Sequence, residues 1–66
     1  MMKVTAHVEG YNAAFTDGEE YAAFELYVQD RDGDTISSYE LVIIDNYGDA
    51  IQESLALSFY GISFSY

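Results

Sequence analysis

An alternating stretch, EYAAFELYVQ at 20–29, runs through DRDGD into TISSYELVII at 35–44, and the rest of the chain has to pack on the hairpin this implies. In the first arm Ala22, Phe24, Leu26 and Val28 fall on one face, and Tyr21, Glu25, Tyr27 and Gln29 on the other. This period of two marks a half-buried strand, with the apolar set expected to face the core. The second arm is β-branched and aromatic, and its run Leu41–Ile44 is apolar without alternation, as in a strand covered on both faces. Such a run leaves the pairing register open. Asp30, Arg31, Asp32 and Gly33 read as a turn closed by glycine, so three carboxylates, Asp30, Asp32 and Asp34, crowd one tip.

That tip, DRDGDTISSYEL, also resembles the calcium loop of EF-hands. Such a loop takes oxygens from positions 1, 3 and 5, turns on a glycine at 6 and closes with a bidentate glutamate at 12. Asp30, Asp32 and Asp34 match the first three, but Thr35 stands at position 6 and Glu40 at position 11. The resemblance implies, as an alternative, a degenerate calcium-binding module using the 30–40 loop through Asp30, Asp32, Asp34 and Glu40, while no resident metal or cofactor is expected.

Before the hairpin, Val4, Ala6 and Val8 alternate with Lys3, Thr5, His7 and Glu9, which predicts a first strand over 3–9. Gly10, Tyr11 and Asn12 interrupt it, and Asp17-Gly18 predicts a tight two-residue hairpin turn after Ala13–Phe15. A short helix within 11–23 is the competing reading of that piece. After the hairpin, Asn46 is placed to cap a helix over 47–58. Its expected core-facing arc holds Tyr47, Ala50, Ile51, Ser54, Leu55, Leu57 and Ser58, with Asp49, Gln52, Glu53 and Ala56 opposite. Gly61 should end that helix, and Ile62, Phe64 and Tyr66 alternate with Ser63 and Ser65 as a last strand. The expected fold is α+β: one compact domain over 1–66, a small antiparallel sheet of three to five strands with one amphipathic helix packed on one face.

Sixty-six residues leave room for one core and no large cleft. Half the residues are hydrophobic and eleven are aromatic, enough to fold in spite of the charge. With no cysteine, disulfides and thiolate metal sites are excluded, and a cytoplasmic location is expected. No apolar run is long enough to span a membrane, nothing resembles a leader, and the mature chain is expected to begin as written. His7 is the only histidine and lies on the polar side of its strand, so it makes neither a metal site nor a triad. No phosphate loop or basic patch is present, so neither an enzyme, a cofactor site nor direct nucleic-acid binding is expected.

What stands out is a net charge of −10, twelve acids against Lys3 and Arg31. Small domains ordinarily carry about 2 to 8 net charges. Glu19 adjoins Glu20, the 30–34 turn holds three aspartates, and Asp49 and Glu53 are four apart on the expected helix, where like charges destabilise. Tolerance of that repulsion points to a cationic partner. Duplex DNA carries a charge about every 1.7 Å, so twelve carboxylates equal those of roughly 20 Å of duplex. A compact chain of this length would be about 28 Å wide, with a radius of gyration of about 11 Å.

In size, charge and sheet-plus-helix pattern the whole chain resembles the small acidic phage proteins that mimic DNA, particularly anti-CRISPR proteins directed at type I, and within that type I-C, systems. The resemblance rests on no shared motif. It implies a stoichiometric, non-catalytic inhibitor, acting as a monomer in the host bacterial cytoplasm. Its partner would be a basic nucleic-acid-binding protein, a subunit of a CRISPR surveillance complex whose DNA or PAM-binding surface it occupies. The residues expected to make the contacts are Glu19, Glu20, Glu25, Asp30, Asp32, Asp34 and Glu40. A structural or assembly role through Tyr60, Phe64 and Tyr66 is the remaining alternative.

Overall fold

The computed structural model describes residues 2–28 and 38–66. Five strands, β1 (Met2–His7), β2 (Glu20–Val28), β3 (Ser38–Ile44), β4 (Ala50–Gln52) and β5 (Ser63–Ser65), and one helix, α1 (Glu53–Tyr60), make an α+β fold. The sheet is antiparallel throughout, in the order β4-β3-β2-β1-β5, and α1 carries the chain between its two edge strands. The core beneath the helix joins Val4, Ala6, Phe15, Tyr21, Ala23, Leu41, Ile43, Ala56 and Ile62.

The two arms, Glu20–Val28 and Ser38–Ile44, pair antiparallel as expected, the turn expected between them lies outside the described residues, and β2 buries the opposite face. Tyr21 and Ala23 are in the core, whereas Phe24 and Leu26 are exposed. Register explains the inversion. Val4 sits opposite Tyr21, and Ile43 opposite Ala23; residues facing one another across antiparallel strands share a face. β1 is unambiguous, with Val4 and Ala6 inward and Lys3 and His7 outward. β3 is apolar on both faces and accepts either register, so β1 decides and Phe24 and Leu26 turn outward. Tyr21 is suited to the inner side because its ring stacks edge-on against Phe15, while its hydroxyl accepts a 2.6 Å hydrogen bond from the Thr16 amide.

The segment between β1 and β2 is irregular, which excludes the helix considered for 11–23. Its turn is also not the tight two-residue hairpin expected at Asp17-Gly18. Gly18 has φ 81° and the Glu19 amide bonds the Thr16 carbonyl, the pattern of a type II turn. Ala6 then faces both Gly18, whose amide it accepts at 2.8 Å, and Glu19, whose carbonyl its own amide reaches at 3.0 Å. This is a bulge with glycine in its left-handed position.

The expected helix over 47–58 is shorter and later. Asn46 does not cap it. The Asn46 side chain accepts from the Tyr21 hydroxyl and donates to Ala13 carbonyl and Thr16 hydroxyl oxygens, latching the 11–19 segment to the end of β3. Asp45, almost fully buried, accepts the Tyr47 and Asp49 amides and closes a loop in which Gly48 has φ 83°. Residues 50–52 then extend along Val42–Ile44 as β4, gaining backbone bonds that a helix there would forgo. The helix starts only at Glu53, with no side-chain cap, and ends as expected at Gly61, φ 66°. Its one buried residue, Ala56, lies on the arc expected to face water. Leu55 and Leu57, expected in the core, are exposed.

The molecule measures 42 × 23 × 20 Å with a radius of gyration of 13.0 Å, longer than the compact body expected. The hairpin is the reason. β1 pairs β2 only as far as Met2 with Ala23, and β4 pairs β3 only as far as Val42 with Gln52. Beyond them β2 and β3 continue together to Val28 and Ser38 as a two-stranded arm. No helix among the described residues is long and apolar enough to cross a membrane.

Candidate functional site

Where the arm leaves the body, a cleft of about 380 Å³ is lined by Met2, Glu25, Glu40, Leu41, Glu53, Ser54 and Tyr66. Three elements bring its carboxylates together. Glu25 comes from β2, opposite Leu41 and exposed; Glu40 comes from β3, just past the end of β4; Glu53 opens α1. Glu40 Oε2 accepts the Gln52 amide at 2.8 Å, and Glu53 Oε2 accepts the Tyr66 hydroxyl at 2.6 Å. Both donors are neutral, so they orient the carboxylates and leave their charge in place. Among the described residues no lysine or arginine lines the cleft. A carboxylate that accepts one such bond has lone-pair capacity for more, which a guanidinium or ammonium group can use.

The acids expected to meet a partner do not form one face. Glu25 and Glu40 share the cleft, while Glu19 and Glu20 are exposed at the opposite end of β2, with Glu20 across from Thr5. Five residues of strand separate Glu20 from Glu25, about 17 Å. Asp30, Asp32 and Asp34 lie outside the described residues, as does the loop that resembles a calcium site. Asp49 belongs to the loop before β4, so it and Glu53 are not paired along a helix face. Glu9 and Asp17 are exposed too, the latter accepting the Val8 amide at 2.9 Å. Of the aromatic surface, Tyr60 and Tyr66 are exposed, but Phe64 packs on the core, edge-on to Phe15.

Sequence reasoning placed Glu53 on an exposed helix face with Asp49 and Tyr66 on an assembly surface, and did not join either to Glu25 and Glu40, because nothing local links positions 25, 40, 53 and 66. Among the described residues no group of three or more histidine, aspartate or glutamate side chains is arranged to hold a metal ion. His7 is exposed at the end of β1, with Nε2 2.8 Å from the hydroxyl of Ser65 on the edge strand β5. Compared with protein-family models, with curated proteins and with solved structures, the chain matches none.

Proposed function

We propose that this chain is a stoichiometric binding protein that stands in for DNA on the basic surface of a nucleic-acid-binding protein, performing no chemistry. The observation that carries the reading is its unneutralised charge. Twelve acids against two basic side chains leave ten carboxylates with no lysine or arginine of their own. The cleft between Glu25, Glu40 and Glu53 adds a concave place for one cationic side chain, and the projecting arm suits a groove that otherwise receives a nucleic-acid backbone. The anti-CRISPR proteins that the chain resembles offer a concrete target class, the DNA- or PAM-binding surface of a type I surveillance complex in the bacterial cytoplasm.

The test is competition. Type I surveillance complexes, I-C included, are loaded with a fluorescent target duplex and titrated with the chain while anisotropy is followed. Release of DNA at about one chain per complex is the expected result, with the chain's direct affinity for the complex, measured without DNA, falling about tenfold or more between roughly 50 and 200 mM salt. DNA that stays bound under excess chain at low salt contradicts the proposal.

A further inference from the structure

The β2–β3 arm leaves the body with an edge of β2 uncovered. Where β1 meets the bulge before β2, Ala6 makes both of its backbone bonds to that side, accepting from the Gly18 amide and donating to the Glu19 carbonyl. Bonded positions alternate along an antiparallel pair, so Val4 with Tyr21 and Met2 with Ala23 are the bonded pairs that follow. The next β2 residue whose N–H and C=O point to that side is Glu25. β1 pairs no further than Met2, and among the described residues no backbone group bonds Glu25 there. β3 takes up the alternate residues instead, Phe24 opposite Val42 and Leu26 opposite Glu40. Beyond Ala23 the strand therefore presents an open edge in line with β1, and an open edge is a template for another strand.

Two hollows meet at this edge, and Met2 and Glu25 line both. One is the acidic cleft, on the side of the sheet that Glu25 shares with Leu41. The other, about 390 Å³, lies in the notch where β1 stops and is completed by Ala23 and Phe24. On the outer face beside it Phe24 and Leu26 are exposed by 39 and 52%. Strand addition draws affinity from main-chain bonds at a free edge and specificity from sites for alternate side chains.

We propose that an extended segment of the cationic partner adds to β2 at Glu25, antiparallel to it and in line with β1; this rests on the reading of that partner given above and names the part of it that the arm receives. Residues opposite one another share a face. The segment's residue opposite Glu25 lies over the acidic cleft and is an arginine or lysine. Its neighbour opposite Leu26 lies on the outer face against Leu26 and Phe24 and is apolar. The edge thus recognises a segment that alternates basic and apolar side chains. Charge selects this occupant over a second copy, whose matching edge brings its own Glu25 and cleft carboxylates to the seam, where like charges destabilise pairing. It also gives Glu25 a discriminating part, since a charge at a strand edge deters unselected pairing and a basic residue removes the penalty.

The test uses the full chain, isotope-labelled, and two capped peptides of roughly nine residues and one composition, the first alternating arginine and valine, the second holding them in two blocks. Binding is measured by calorimetry and amide hydrogen exchange by NMR, at roughly 50 mM salt. The alternating peptide should bind several-fold more tightly than its blocked isomer. It should also slow exchange of the Glu25 amide several-fold, and that of Leu26, already bonded to β3, by less. N-methylation of the Glu25 amide, introduced by chemical synthesis, keeps the carboxylate and the β2–β3 ladder but blocks the edge, and should abolish the preference for the alternating peptide. Should it disturb the fold, Glu25 exchange in the parent decides. Equal binding of the two peptides with unchanged Glu25 exchange overturns strand addition, as does failure of both to bind; either result leaves displacement of DNA to be decided by its own titration. A chain that pairs with the alternating peptide but displaces no DNA keeps the edge and loses the DNA-mimic reading.

Discussion

Asp45 shows how much of this small fold depends on single polar side chains. Its carboxylate is nearly buried and takes two backbone amides, Tyr47 and Asp49, at 2.9 Å each, while its own amide bonds the Asp49 carbonyl. These bonds close the loop that delivers β4 to the sheet. Removing a charged acceptor strands two amides, which costs about 2 kcal/mol, or about 10 °C in melting temperature for a domain of this size. Asp45→Ala should therefore melt about 10 °C lower, and Asp45→Asn, which keeps the acceptor oxygen, should lose less than half of that. Equal melting of Asp45→Ala and the parent would show that water replaces the carboxylate. Asn46, next in sequence, looks from sequence like a helix cap because the same short polar side chain serves either purpose. Its partners at Ala13, Thr16 and Tyr21 lie 25 to 33 residues away, where no local pattern reaches them.

Among the elements, what could be read in advance was what depends on local alternation. β1, the β2–β3 hairpin, the last strand and the glycine that ends the helix stand where the residues put them. What could not be read was which face of β2 and of α1 meets the core. Both choices are made by partners distant in sequence: Val4 and Ile43 bring Tyr21 and Ala23 inward, and the edge pairing of 50–52 takes the first turn from the expected helix and rotates the remainder. The cleft was legible only in part, since Glu25 and Glu40 were singled out and Glu53 was not. The inverted helix makes a sharp prediction. Ala56 has no exposed surface, so Ala56→Leu should cost about 1 to 3 kcal/mol by forcing α1 off the sheet. Leu57→Ser, at a largely exposed position, should cost less than 1 kcal/mol. Thermal melts at low micromolar concentration compare the two, and a larger loss for Leu57→Ser would restore the helix face expected from the sequence pattern.

On the scale of the whole molecule, an elongated body carries exposed acids on the sheet and the loops and one more, Glu53, at the start of α1, and no charged side chain follows Glu53 in the sequence. Stability alone does not favour such a distribution. Like charges repel within the folded state, and a few lysines would relieve them. If the carboxylates are there for a cationic partner, stability and binding must respond to charge reversal in opposite directions. The most direct measurement is DNA competition by the triple variant Glu25→Lys, Asp32→Lys, Asp34→Lys, with Glu19→Lys, Glu20→Lys as the comparison at the other end of β2, each with its melting temperature. The account predicts that the triple variant melts no lower than the parent and no longer displaces the duplex from the surveillance complex, while the Glu19, Glu20 variant retains more of the parent's activity. A folded triple variant that competes as well as the parent would contradict it, leaving the carboxylates as solvating groups.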